Sequence, residues 1–244
     1  MTRVPDDHAA AGAAAYPPPG RTAAVPAPGA QRGWTHVRPL REEIASAIIQ
    51  GLAAAASVVG LVYLVARDRP HLDALGLAAV VIYAAASCVA FLASALYHGV
   101  QNRRIRAVLQ RIDHCTIFLL IAGTYTPVAL LPLRHHGGIA LLAAIWTVAL
   151  TGIVLRLGNE RLYRRVAIPL YVIMGWLGLG WSAPLYREVG TQSILLMALG
   201  AASYTGGLLF YRWHSRPFTN SAWHLCVVAG GAWFFCAIAR FAAA

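Results

Sequence analysis

The chain has 244 residues, of which 59% are apolar and only 12% charged, with a formal net charge of +11. Soluble domains carry roughly 25% charged residues, so the composition excludes an ordinary water-soluble globule. The positive charge does not point to a nucleic-acid partner either: the basic residues are scattered through short breaks between apolar runs and build no basic, aromatic-interleaved domain.

Residues 1–33 are rich in Pro, Ala and Gly and show no periodic apolar face. Such a segment cannot bury enough apolar surface to offset its ordering entropy, and a disordered tail is expected. It lacks the apolar core, roughly 7–15 residues long, of a signal peptide, so it is expected to stay on the mature protein. Residues 34–244 then form one membrane domain.

Apolar runs long enough to cross a bilayer, about 20 residues each, recur at 44–66, 73–98, 109–132, 138–156, 166–185, 193–211 and 221–243. The breaks "RDRPH", "QNRRIRAV", "RHHGG", "LGNERLYRR", "YREVGTQ" and "YRWHSRPFTN" are short, as antiparallel neighbours require. The alternating ~10-residue strands of a β-barrel are absent. The expected fold is an all-α integral membrane bundle of seven transmembrane helices. Cys88, Cys115, Cys226 and Cys236 all lie inside apolar runs without a C-x-x-C pair, which favours packing over disulfides.

All 20 basic residues are arginines, and alanine is abundant, as in proteins from a GC-rich, bacterial genome. Their placement sets the direction of the chain. Arg3, Arg21, Arg32, Arg38 and Arg41 share one face with the arginines after spans two, four and six. Arg67, Arg69, Arg134, Arg187 and Arg240 are left for the other face. The N-terminus is therefore expected in the cytoplasm and the C-terminus outside, in the inner (cell) membrane.

That direction brings polar residues together. Glu42, Glu43, Ser46 and Gln50 on span one, Ser87, Ser94 and His98 on span two, Asp113 and His114 on span three, and Asn220 and His224 on span seven all fall near the cytoplasmic surface. Ser94 and His98 are one helical turn apart, as are Asn220 and His224, so each pair shares a face. A carboxylate at the bilayer centre is disfavoured by about 2.5–3.5 kcal/mol on insertion scales, so such groups face inward and meet one another. Asp113 also has plain structural readings: an ion pair with an arginine such as Arg111 or Arg41, or a cap on span three. His114 lies about 100° further round the helix and is expected at the membrane interface. His135 and His136 fall on the opposite side.

The stretches "EEIASAIIQG", "SALYH", "RIDHCTIFLLIAGTYTP", "YVIMGWLGL", "YTGGLLFY" and "AWHLCVVAG" resemble, in order and spacing, the hemolysin III family, the bacterial branch of the progestin and adipoQ receptor superfamily. The resemblance covers roughly residues 38–240. It implies a seven-helix bundle with zinc near the cytoplasmic end, held by the histidine of S-x-x-x-H on span two and both histidines of H-x-x-x-H on span seven. The span-three aspartate then holds or activates a zinc-bound water, and related eukaryotic members are linked to ceramidase-like hydrolysis of lipid amides. Carried onto this chain, Ser94 and Asp113 take the catalytic positions and His98 and His224 the metal positions. The span-seven motif reads "NSAWH", with Asn220 where the first histidine belongs. The family pattern E-x-x-N-x-x-x-H on span one is represented by Glu43, Ser46 and Gln50. A catalytic zinc takes three protein ligands plus water; Asn220 offers only a neutral amide oxygen, and Asp113 is the group able to complete a His₂Asp set.

Several functions remain open at this point. One is a zinc-dependent membrane hydrolase acting on a lipid amide or ester that enters sideways from the bilayer. A second is a non-catalytic protein that senses or adjusts lipid state. A third, weaker, is a pore-forming cytolysin. In each, the partners are membrane lipids. Proton-coupled transport is disfavoured because the charged groups gather at one end.

Overall fold

The computed structural model describes residues 39–213 and 216–242; the expected tail, residues 1–33, lies outside the described residues. Within them the chain forms α1 (Leu40–Asp68), α2 (Ala74–Gly99), α3 (Arg103–Leu130), α4 (Gly138–Gly158), α5 (Glu160–Trp176), a 3₁₀ segment (Leu177–Trp181), α6 (Ser182–Arg212) and α7 (Thr219–Phe241). No strand is present among the described residues.

Local chemistry sets the boundaries. Asp73 caps α2 by accepting from Gly76 N at 2.8 Å. That bond and the Arg134 guanidinium, 2.6 Å away, hold its carboxyl below the usual carboxylate range. Asn102 caps α3 by accepting from the amides of Arg104 and Ile105, and Asn159 caps α5 by accepting from Leu162 N. Such side chains take up helix-end amides that lack an intrahelical partner. Because Asn102 provides this cap, α3 begins at Arg103 and not at residue 109.

The fifth apolar run is not one uninterrupted α-helix over 166–185. It changes to 3₁₀ at Leu177–Trp181, and backbone groups freed there find a side chain. The Tyr125 hydroxyl donates to Gly175 O at 3.0 Å and accepts from Gly178 N at 3.1 Å. Away from water a freed backbone group needs such a partner. Within α6, Gly190 adopts φ 68° and ψ 177°, which interrupts the helix inside the break expected at "YREVGTQ".

Contacts at the two ends order the bundle. At one end Arg67 bonds Ala239 O, Arg134 pairs with Asp73, His136 Nε2 meets Glu188 at 3.0 Å, and Arg240 bonds Gln192. At the other, Glu43 meets His98 and Arg106, and Arg156 pairs with Glu160. His135 and His136 thus lie away from the polar cluster, as expected.

Apolar packing fills the space between these ends. Leu64, Val80, Tyr83 and Ile238 join α1, α2 and α7; Phe118, Ile145, Ala149, Tyr163 and Met174 join α3, α4 and α5. The exterior is apolar too, with Leu52, Val59, Val62, Val154, Leu157 and Leu209 all more than 60% exposed. Five helical stretches among the described residues are long and apolar enough to cross a membrane: α1, α2, α4, the run Glu160–Arg212 and α7. α3 is less apolar because four arginines and Asp113 occupy its first half. The four cysteines are free.

The α3–α4 corner needs glycine. A Cβ on Gly138 would sit 2.0 Å from Ala129 O and 2.6 Å from Leu133 O, both backbone atoms that cannot swing aside. Gly138→Ala is expected to destabilise the bundle by about 1–3 kcal/mol, the usual penalty for overpacking. Thermal unfolding in detergent measures this, and an unchanged midpoint would mean that the corner is looser.

Candidate functional site

The site assembles where the first turns of α1 and α7, the last turn of α2 and the first half of α3 meet. Glu42, Glu43, Ser46, Gln50, Ser94, His98, Asp113, Asn220, Ser221 and His224 are all buried there. One chain of hydrogen bonds runs through four of them, Glu43, His98, His224 and Gln50. Arg106 reaches Glu43 Oε1 at 2.6 Å, and Glu43 Oε2 accepts from His98 Nδ1 at 2.7 Å. His98 Nε2 and His224 Nε2 are 2.9 Å apart, and His224 Nδ1 is 2.5 Å from Gln50 Nε2.

The proton positions follow from the charges. With Arg106 on its other oxygen, Glu43 is held as a carboxylate, so His98 Nδ1 carries a proton and donates it. His98 Nε2 is then the acceptor, His224 Nε2–H donates to it, and His224 Nδ1 accepts from the Gln50 amide. Every ring nitrogen of the two imidazoles is engaged. Tyr97 closes the outer side, its ring 4.5 Å from that of His98 and 4.8 Å from the Arg106 guanidinium carbon.

Asp113 lies within interaction range of His98, Ser94 and Arg156, while buried Ser94 Oγ has no hydrogen bond of ordinary geometry. The cap and the two arginines named for Asp113 are not what the structure places there, and Arg156 is the arginine within range. Asp113 does not cap α3, because Asn102 holds that position well upstream. Nor do Arg41 or Arg111 make an ion pair with it among the described residues: Arg41 packs over the Phe218 ring instead, and the basic partner in this corner, Arg106, goes to Glu43. His114 differs from expectation as well. It is buried, not interfacial, and its ring stacks on Tyr163 at 5.9 Å. Ser87 bonds Tyr83 O within its own helix and takes no part in the cluster.

Asn220 stands apart from the histidines. Its side-chain amide donates to Ser46 Oγ at 3.1 Å and its backbone N–H to Glu42 Oε1 at 3.1 Å. Ser46 in turn meets Ser221 Oγ at 3.1 Å. Of the sequence candidates, then, His98 and His224 touch, Asp113 and Ser94 flank His98, and Asn220 faces α1. Sequence reading missed Arg106, Tyr97 and Arg156. Arg106 counted there only toward the orientation of the chain, and the one available signal was that a buried Glu43 needs a cation. Arg156 is 4% exposed and lies over the Tyr163 ring, contacts with no signature in sequence.

The donor set suits a metal in one respect and falls short in another. Two Nε2 atoms face each other; His98 donates its outer N–H to a carboxylate, the way metal-binding histidines are oriented, whereas the outer nitrogen of His224 accepts from Gln50. Zinc–nitrogen bonds of about 2.0–2.1 Å would require the rings only to part slightly. Among the described residues no third His, Cys, Asp or Glu converges with them on one point.

Apolar helices with aliphatic exteriors, closed around a buried polar cluster, define a multi-pass α-helical membrane protein. Residues 39–235 match the family described as haemolysin-III related. The chain is 36% identical to Hemolysin-3 of Bacillus cereus over 189 residues, covering 78% of this chain and 86% of that protein. It is 34% identical to the Hemolysin-3 homolog of Bacillus subtilis (strain 168), over 78% of this chain and 89% of that one. The chain belongs to the haemolysin-III-related family.

Arg106→Gln would leave the Glu43 carboxylate buried with His98 alone. A lost hydrogen bond to a charged group amounts to about 1.5–3 kcal/mol, and thermal unfolding should fall accordingly. Glu43→Gln/Arg106→Gln should recover part of that loss, because no buried charge is then left unpaired. A double variant as unstable as the two single losses summed would show that the pair does not act together.

Proposed function

We propose that this protein crosses the inner membrane of a bacterial cell seven times and is a zinc-dependent hydrolase acting on a lipid amide or ester. The facing Nε2 atoms of His98 and His224, each ring locked through its other nitrogen, carry the reading. His98 and His224 would hold the ion, with Asp113 as the neighbouring carboxylate and Asn220 adding at most a weak amide contact. Bound zinc supplies a Lewis acid for the lipid carbonyl. Glu43 and Gln50 orient the imidazoles, and Asp113 accepts a proton on its carboxylate with Ser94 Oγ beside it. The substrate is a membrane lipid, whose chains need not leave the aliphatic exterior to reach this depth.

The arginine distribution supports an N-terminus in the cytoplasm and a C-terminus outside. A reporter fused after Ala244 should read as external and one inserted in "LGNERLYRR" as cytoplasmic. A cytoplasmic reading for both would overturn the orientation.

A second reading has its own support. Every ring nitrogen of His98 and His224 has a partner without a metal, and Asn220 bonds Ser46, so the cluster can also serve as polar glue in a non-catalytic protein that senses or adjusts lipid state. Metal content per chain after purification in detergent, by mass spectrometry, separates the two. The hydrolase reading requires zinc that is lost together in His98→Ala and His224→Ala.

Asn220→His adds an imidazole one turn from His224. Zinc affinity should rise at least about tenfold, or 1.4 kcal/mol. Adding Asp113→Asn to that variant should reduce hydrolysis more than metal occupancy. Zinc titration showing equal affinity in the wild type and Asn220→His would leave the polar-glue reading.

A further inference from the structure

We propose that the groove between α5 and α6 binds one anionic phospholipid, its phosphate clamped by Arg165 and Arg212 and an acyl chain lying along Ile168, Pro169, Val172 and Ile173. The groove is open on its outer side, has a volume of about 490 Å³ and is lined by these residues and Arg164. Small-molecule sites span roughly 300–1,000 Å³. α5 and α6 touch only sparsely, and no residue of the polar cluster lines the groove.

The lining is ordered along the helix axis. Arg164, Ile168 and Val172 form one row at four-residue steps, and Arg165, Pro169 and Ile173 form the adjacent row. Each row is cationic for one turn and apolar for the next two, about 12 Å at 1.5 Å per residue. Arg212, from the last turn of α6, lines the groove opposite that cationic turn. Arg164 is committed to Glu160 at 2.8 Å, whereas Arg165 and Arg212 make no ion pair among the described residues. Two exposed guanidiniums without a carboxylate partner can grip one phosphate through paired N–H donors. Basic pockets between helices at a membrane surface are suited to lipid phosphates. The apolar floor selects the source. A free phosphate would use the arginines alone, while Val172 and Ile173, both exposed, match an acyl chain.

The test uses the full chain, purified in detergent, stripped of lipid and offered equimolar phosphatidylglycerol and phosphatidylcholine, with retained lipid counted by native mass spectrometry. One phosphatidylglycerol should be retained per chain, about tenfold over phosphatidylcholine. That preference should vanish in Arg165→Gln/Arg212→Gln and survive in Arg69→Gln/Arg187→Gln, which removes equal charge elsewhere. Val172→Trp, which fills the floor and keeps the arginines, should also lower retention, so the proposal is tested even if the arginine variant does not fold. Excess glycerol phosphate should not displace the lipid. Equal retention of the two lipids, wild-type retention in the Arg165/Arg212 and Val172 variants, equal loss in the Arg69/Arg187 control, or displacement by glycerol phosphate would each overturn it.

Discussion

A buried carboxylate on the first turn of α1 organises one end of this molecule. Glu43 is 4% exposed, and its two oxygens are divided between Arg106 of α3 and His98 of α2. In a low-dielectric setting an unpaired charge is far more costly than a paired one is stabilising. Pairing Glu43 therefore ties α1, α2 and α3 together at this end, while apolar contacts join α1 and α2 further along their lengths.

From that point the constraint passes along the hydrogen bonds. An anionic Glu43 sets the tautomer of His98, that tautomer sets His224, and His224 takes the amide of Gln50. Four residues from α1, α2 and α7 become one unit, and a change at either end is felt at the histidine pair. The same logic explains why α3 tolerates arginines in its first half: one of them is the counterion the cluster needs. Asp113, which does not cap α3 and is not paired with Arg41 or Arg111, lies beside His98 and Ser94, which is what gives it chemical interest.

The two proposed sites illustrate opposite uses of arginine at a membrane. Arg106 is drawn inward by Glu43 and serves packing. Arg165 and Arg212 face a groove without an acid partner and remain available to an anion from outside the chain. The distinction rests on the presence of a carboxylate partner and not on residue type.

Much of this was legible in the sequence. Apolar runs separated by short arginine-bearing breaks announced an all-helical membrane bundle, because lipid leaves the backbone few other solutions. Four-residue spacing put Ser94 with His98 and Asn220 with His224, since helical periodicity is a local property. What the sequence could not contain was which partner each polar group takes. Arg106, not Arg41 or Arg111, neutralises the nearby acid, and it chooses Glu43 over Asp113. Asn220 bonds Ser46 and not the histidines; His114 stacks inward on Tyr163. The 3₁₀ turn at Leu177–Trp181 depends on a Tyr125 hydroxyl from another helix. Each of these is a choice among several polar groups at the same depth, separated by only a few ångströms of side-chain reach, and only the packed rotation of one helix against the next decides it.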